Sequence, residues 1–106
     1  MSIENEYKVD GIGVSRDGDK IILLISDHLT WENEYSHLIL LQKKINAYLT
    51  FWENKQYEEI YPGKTFHYAV IEIHFKYPIT ENCTRFLYVA GKQIEPLGIT
   101  ITSVCS

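Results

Sequence analysis

A run of apolar residues spaced alternately three and four positions apart constrains this chain more than any other feature. The run consists of Leu38, Leu41, Ile45, Tyr48 and Trp52. Because an α-helix has about 3.6 residues per turn, this spacing places all five side chains on one face. It predicts a long amphipathic helix that begins after an N-cap at Thr30 and ends at about Asn54. Tyr35 and Leu49 belong to the same apolar stripe.

The segments outside this helix show the patterns of β-strands. An Asp-Gly turn joins the first two segments, which predicts a hairpin. The third is rich in aromatic and β-branched residues, and its residues alternate between two faces. One face carries Ala69, Ile71, Ile73 and Phe75, and the other carries Tyr68, Val70, Glu72, His74 and Lys76. The four predicted strands are Val9–Val14, Lys20–Ile25, Phe66–Phe75 and Ile99–Val104.

A second helix is predicted between the last two strands. Thr80 is a favourable N-cap, and Pro96 and Gly98 end the helix. Its apolar stripe is Cys83, Phe86, Leu87, Ala90 and Ile94.

The order of elements is therefore ββαβαβ. Strand–helix–strand connections cross over with a right hand and leave their strands parallel, so both helices are expected on one face of the sheet. We predict one α+β domain over residues 1–106, a two-layer sandwich with a four-stranded mixed sheet. The other face of that sheet is expected to be open.

Composition and charge limit the class of protein. Hydrophobic residues make up 45% and charged residues 23% of the 106 residues, as in an ordinary globular domain. No apolar run approaches the roughly 18 residues that cross a membrane, and the acidic stretch Met1–Glu6 is unlike a secretory signal. We therefore expect a cytoplasmic protein. The net charge of -4, without a basic stripe, argues against nucleic acid and favours a basic protein as the partner.

The four histidines do not have the spacing of metal ligands. His28 and His37 lie nine positions apart, and His67 and His74 lie seven apart, which places them on opposite sides of a strand. We expect surface or capping histidines, no metal, no cofactor and no catalytic residue. Asp27 is expected to organise the turn before the first helix by bonding backbone amides.

The two cysteines leave one question open. A chain in the cytoplasm favours thiols, and one of them is expected to be a small core residue. The second helix and the last strand have similar lengths, however, and would bring Cys83 and Cys105 to the same end of the domain. That geometry leaves a disulfide open.

Recognition of a partner is the remaining function. The chain contains 8 Tyr and 2 Trp, residue types that are enriched at protein interfaces. The sequence indicates two candidate surfaces, a loop after the first helix and the open sheet face. In the loop, Ile60 and one tyrosine could instead pack on the core as a lid. The predicted contacts are Tyr57, Glu58, Glu59 and Tyr61 on a loop, and Glu72, His74 and Lys76 on the open sheet face.

Two segments carry a resemblance. The turn Ile25–Trp31 (ISDHLTW) and the helix segment Leu40–Leu49 (LLQKKINAYL), with Tyr77 and Pro78 after the long strand, resemble a family of small bacterial proteins of unknown function. The resemblance implies no activity and no site residues. Small families of this kind often contain immunity proteins that act beside bacterial toxins, which is an argument by association.

These observations predict a non-enzymatic protein-binding module, most specifically an immunity protein that neutralises a basic, nuclease-type toxin domain. One alternative is a small enzyme or ligand-binding domain that uses Asp27, His28 and His74 in a concave pocket. Another is a homo-oligomeric structural protein that buries its open sheet face against a second copy. Without its partner, the protein is expected to be a monomer or a homodimer.

Overall fold

A computed structural model describes residues 3 and 9–105 of the chain. Most of the acidic stretch Met1–Glu6, which argued against a secretory signal, therefore lies outside the described residues. The elements follow in the predicted order: β1 Gly11–Val14, β2 Lys20–Asp27, α1 Glu34–Glu53, β3 Tyr68–Phe75, α2 Glu81–Ile94 and β4 Ile99–Cys105. Short 3₁₀ helices follow α1 and α2 at Gln56–Glu59 and Glu95–Leu97. None of the helices described has the length and apolar character needed to cross a bilayer.

The sheet is mixed, with the strands in the order β1-β2-β3-β4. β1 and β2 are antiparallel and form the predicted hairpin, in which Gly18 takes the left-handed conformation with φ +74°. β2, β3 and β4 are parallel to one another, in continuous register. The prediction of a four-stranded mixed sheet is confirmed.

The core lies between one face of this sheet and the two helices. Buried sheet side chains come from alternate positions only: Ile21, Leu23, Ile25, Ala69, Ile71, Ile73, Phe75 and Ile99. In the same cluster, α1 contributes Leu41, Ile45 and Tyr48, and α2 contributes Cys83 and Ile94. Both helices therefore pack on the same face, as predicted for a two-layer sandwich.

The first helix begins three residues later than predicted. Asn33, rather than Thr30, is the N-cap, and its Oδ1 accepts the Ser36 backbone N–H at 3.3 Å. Thr30 has another role, since its carbonyl accepts a hydrogen bond from Nδ1 of His37 at 3.0 Å. Tyr35, which was assigned to the buried stripe, is instead 76% exposed.

A buried ion pair joins α1 to the start of the hairpin. Nζ of Lys44 lies 2.8 Å from Oδ1 of Asp10, and the two side chains are 0% and 2% exposed. The second Asp10 oxygen accepts the Ser26 N–H at 2.8 Å, and the Asp10 N–H donates to Oη of Tyr48 at 2.8 Å. Tyr48 in turn donates to the Leu24 carbonyl. Burial raises the pKa of Tyr48, so its hydroxyl keeps the proton that this bond requires.

The two cysteines are thiols and do not form a disulfide. Cys83 points into the core from the first turn of α2, whereas Cys105 is exposed at the end of an edge strand. The start of α2 and the end of β4 lie at the same end of the domain, as the similar lengths implied, and the disulfide that this geometry left open is not formed. Burial raises the pKa of the Cys83 thiol from 9.0 to about 12, with smaller contributions from the charges of Asp27 and Glu34.

We expect the two thiols to differ in reactivity. Ellman's reagent at pH 8 should label one thiol per folded chain and two in denaturant, while Cys105→Ser should show none until it unfolds. Because the folded pKa of Cys83 is raised, its neutral thiol stabilises the fold fully below pH 9 and progressively less as pH rises toward about 12. The stability difference between wild type and Cys83→Ala should shrink over that range. Rapid labelling of both thiols would contradict the burial of Cys83.

The ion pair should show strong coupling in urea unfolding. Lys44→Met leaves the Asp10 carboxylate buried without this cation, and Asp10→Asn leaves the buried ammonium without this anion, so each should cost about 3–5 kcal/mol. The double variant removes both charges and should cost clearly less than the sum of the two. Additive losses would show that the pair contributes no coupling.

Candidate partner-binding face

The sheet face opposite the helices is uncovered by the described residues. We call it the open face; it consists of Gly11, Gly13, Ile22, Leu24, Ser26, Tyr68, Val70, Glu72, His74, Thr100, Thr102 and Val104. None of these side chains belongs to the core cluster or packs against it. Three half-buried apolar residues, Ile22, Leu24 and Val70, occupy its two central strands. The face thus has an apolar centre between two outer strands that carry glycine, threonine and valine.

The hairpin strand β1 presents little more than backbone to this face. A side chain at Gly13 would meet nothing within 4 Å, whereas a Cβ at Gly11 would lie 2.9 Å from Cδ1 of Leu24. The Leu24 side chain therefore packs over Gly11, and Gly13 leaves open space on the same face of β1. The sequence Gly-x-Gly, which has no helix after it to bind phosphate, instead keeps this border of the open face free of side chains.

One end of the open face carries a polar couple. Nε2 of His74 lies 2.6 Å from Oε1 of Glu72, two residues away on the same strand. Thr102 of β4 is the register partner of Glu72, as expected if β3 and β4 are neighbours. An imidazole and a carboxylate at this distance can exchange a proton, but both side chains are partly exposed, so they suit a polar contact with another protein.

A concave pocket of about 350 Å³ lies at the other end of the same face. Tyr68, Val70 and Thr100 form its wall on the sheet, and Lys20 and Glu95 place one charge of each sign at its border. Tyr68 is 51% exposed although it is aromatic. A pocket of this size accepts one large side chain of a partner.

The loop after α1 differs from what its composition suggested. Tyr57, which was predicted to contact a partner from the loop surface, is instead buried and packs against the rings of Trp52 and Phe66, with centroids 5.5 and 5.3 Å away. Tyr61 is half-buried and packs edge-on against Phe66. The lid predicted as the alternative is only partly correct, because Ile60 is exposed.

Of the predicted contacts, the exposed ones fall in two places. Glu58 and Glu59 are exposed on the 3₁₀ helix after α1. Glu72 and His74 lie on the open face, and Lys76 is exposed just past the end of β3. The structure brings Glu72 and His74 together and leaves the loop acids apart from them.

Asp27, His28 and His74, the set proposed for an enzyme, do not share a pocket. Asp27 is buried on the helix side of the sheet, His74 lies on the opposite face, and His28 is exposed in the loop after β2. Asp27 does organise the turn as predicted, because its Oδ1 accepts the Leu29 N–H at 3.1 Å. Its other oxygen pairs with His37, which was expected on the surface and is in fact buried.

The Asp27–His37 pair has a defined proton inventory. Nδ1 of His37 must donate, because it faces the carbonyl of Thr30, an acceptor only. Nε2 lies 2.5 Å from Oδ2 of Asp27, so one further proton is shared between ring and carboxyl. Trp31 stacks on the imidazole with centroids 3.7 Å apart, which closes the pair off from solvent. The pair thus connects α1 to the end of β2.

Comparison with known proteins places the chain in a family. Residues 1–106 match a family described as "Family of unknown function (DUF6572)". The chain belongs to this family. No curated protein and no solved structure is similar to it. Within residues 3 and 9–105, no group of three or more histidine, cysteine or acidic side chains is arranged to hold a metal ion.

Sequence reasoning placed Tyr68 and Val70 on the open face of this family member but missed what the first two strands contribute to it. Gly11 and Gly13 were predicted within the strand Val9–Val14, and Ile22 and Leu24 within Lys20–Ile25, without a face being assigned to any of them. The alternation of Lys20–Ile25 could have shown that Ile22 and Leu24 point away from the helices, since Ile21, Leu23 and Ile25 occupy the other side.

Substitutions at Asp27 test the proton inventory. Asp27→Asn retains all three hydrogen bonds if its amide donates to Nε2 of a neutral His37, so we expect a loss below about 1 kcal/mol. Asp27→Ala leaves Nε2 and the Leu29 N–H unpaired and should cost about 2–4 kcal/mol. Urea unfolding measures both, and ring ¹⁵N shifts should show Nδ1 protonated in wild type and in Asp27→Asn. Equal losses would contradict this account.

Proposed function

We propose that this protein is a non-enzymatic protein-binding module that receives its partner on the open face. The observation that carries the proposal is the uncovered apolar centre formed by Ile22, Leu24 and Val70. Sheets built from parallel strands are ordinarily covered on both sides, because their central strands are apolar on both sides. Here the described part of the chain covers only one, and a contiguous apolar surface of this kind is typical of an interaction site.

The composition of the face suits protein recognition. Tyr68 and the pocket beside it provide an aromatic anchor and a cavity, the arrangement found at the centres of protein interfaces. Thr100, Thr102 and the Glu72–His74 couple provide hydrogen-bonding groups around the apolar centre.

The size of the face indicates how far a partner would extend. Strands about 4.8 Å apart and rising about 3.3 Å per residue give four strands a footprint of roughly 19 by 23 Å. A typical interface covers about 800 Å² on each partner, so a partner of ordinary size would also reach the rim. Lys76 and Tyr77 lie on that rim, and Nζ of Lys76 is 5.6 Å from the centre of the Tyr77 ring.

The more specific form of the proposal is an immunity protein that neutralises a basic, nuclease-type toxin domain. The net charge of -4 supports it, because a negative protein attracts a basic partner over long distances and accelerates association. The open face carries little charge, so we assign steering to the acidic residues elsewhere and binding energy to the apolar centre. Association should therefore slow as salt increases, while the dissociation rate changes less.

A matched pair of lysine substitutions tests the face. Val70→Lys places a long cation in the apolar centre, and Val89→Lys makes the same change at a 53% exposed position of α2 in the other layer. Cells that express a basic toxin domain encoded beside this gene should survive with wild type or Val89→Lys and not with Val70→Lys. Calorimetry with the purified toxin domain should show at least about 100-fold weaker binding for Val70→Lys, the scale of an interface hot spot.

A double Glu58→Lys/Glu59→Lys variant tests the loop as the alternative surface. Loss of binding in this variant, with binding retained in Val70→Lys, would place the partner on the loop and contradict the open-face proposal. Absence of protection against every neighbouring toxin domain would overturn the immunity function.

A further inference from the structure

The outer edge of β4 is the second surface that the fold leaves unsatisfied. β4 is the last strand of the sheet, and no described strand or helix lies beyond it along the hydrogen-bonding direction. The Ala69 N–H donates to the Gly98 carbonyl at 2.9 Å, so even-numbered residues here bond toward β3. The N–H and C=O groups of Ile99, Ile101 and Ser103 consequently point outward.

This edge lacks the features that normally prevent pairing with another strand. Natural edge strands are protected by charges, proline, a β-bulge or very short length. β4 has seven residues, ITITSVC, without charge or proline, and its register with β3 runs from Ile99 to Cys105 without a bulge. β1 at the opposite edge has only four residues.

A groove runs beside the same edge. A cavity of about 240 Å³ lies between β4 and α2, and its border carries one charge of each sign beside apolar and small residues: Leu87, Tyr88, Gly91, Lys92, Glu95, Thr100 and Ile101. A side chain at Gly91 would meet nothing within 4 Å, and Tyr88 is 66% exposed although aromatic. Backbone groups at the edge and a groove for side chains beside it are the two elements needed to bind an added strand.

We infer that β4 pairs antiparallel with β4 of a second copy of this chain, about a twofold axis at Thr102. This register uses all seven residues and pairs Ile101 with Ser103, Thr100 with Val104, and Thr102 with itself. No charges oppose each other, and β-branched residues meet at three of the seven positions, where Thr100 faces Val104 on either side of the Thr102 pair. The outward groups of odd-numbered residues face each other in this register, as antiparallel hydrogen-bonded pairs require.

The charges on α2 favour a second copy over an unrelated strand. Glu81, Arg85, Tyr88 and Lys92 follow one another at intervals of four, three and four residues, which places them on one stripe of the helix. A twofold axis reverses the direction of the second α2, so Glu81 of each stripe, which also pairs with Arg85 of its own helix at 2.6 Å, lies toward the Lys92 end of the other. A self-complementary contact of this kind is the ordinary basis of a closed dimer.

Such a dimer would contain one continuous eight-stranded sheet with its two open faces side by side. The inference does not rest on the proposed function, because the edge binds through backbone groups and the face through side chains. Val70→Lys should therefore lose the partner and still dimerise, which separates failure of one proposal from failure of the other.

Cross-linking tests the register. In a Cys105→Ser background, Thr102→Cys places two thiols opposite each other at a pair whose Cα atoms are about 4.5 Å apart, within reach of a disulfide. Thr100→Cys is the matched control, since its two copies would lie about 14 Å apart along the strands. Mild oxidation should yield covalent dimers of Thr102→Cys and monomers of Thr100→Cys. The reverse pattern would overturn the proposed register.

Sedimentation equilibrium tests the edge itself. Wild type and Ser103→Ala should shift from monomer to dimer as concentration rises to several hundred micromolar, and Ser103→Pro should stay monomeric. The proline removes an outward N–H that makes no bond to β3, and thermal unfolding checks that each variant remains folded. A wild type that is monomeric at every concentration would overturn the inference. Binding of a foreign peptide to β4 by such a monomer would overturn it as well, because the inferred occupant is a second copy.

Discussion

The direction in which the chain crosses the sheet determines the surfaces of this protein. After the hairpin, the chain moves from β2 to β3 to β4 without reversing, and each step is made through a helix. When successive strand–helix–strand connections have the same hand and move in the same direction across the sheet, their helices lie on the same face of it. Doubly wound folds cover both faces because the direction reverses within the sheet. Here it does not reverse, so one side of a largely parallel sheet receives both helices.

Two buried polar pairs then hold the long helix in place on that side. Lys44 reaches Asp10 beside β1, and His37 reaches Asp27 at the end of β2. The two helical residues lie seven positions apart, so they share one face and bind the sheet at two points along the helix. Apolar contacts alone permit sliding by small steps, whereas a buried charge pair permits one alignment. We therefore assign the position of α1 to these pairs and its burial energy to Leu41, Ile45 and Tyr48.

Alternation and helical spacing predicted most of the fold, because both are local signals. β3 alternates between buried and half-exposed residues as expected, and the stripe of α2 faces the core. His37 and Lys44 were missed although their spacing with Leu41 and Tyr48 matches a helical face, because residue type argued for the surface. Their burial depends on Asp27 and Asp10, which lie 10 and 34 positions away, and single-sequence patterns contain no information on such partners.

The candidate site was predicted less completely than the fold for the same reason. Glu72 and His74 were identified because a single strand shows which residues share a face. The apolar centre and the glycine border require the register between β1, β2 and β3, and the unprotected edge requires knowledge that β4 is outermost. Neither the Gly-x-Gly pattern nor the uncharged ITITSVC segment by itself shows where its strand lies in the sheet.

The two proposed interactions use different chemistry, side chains on the open face and backbone groups at the edge of β4. Side chains on the open face alternate with those in the core, so their residue types can change without altering the backbone that pairs the strands. The edge of β4 differs, because its backbone hydrogen-bonding groups are the same for every sequence. Its specificity must therefore come from the absence of charged residues and proline. Val70 and Thr100 lie in adjacent strands at the border between the two surfaces. A second β4 beside Thr100 would extend the open face past its present edge and leave the apolar centre uncovered, so the dimer and the partner complex are structurally compatible.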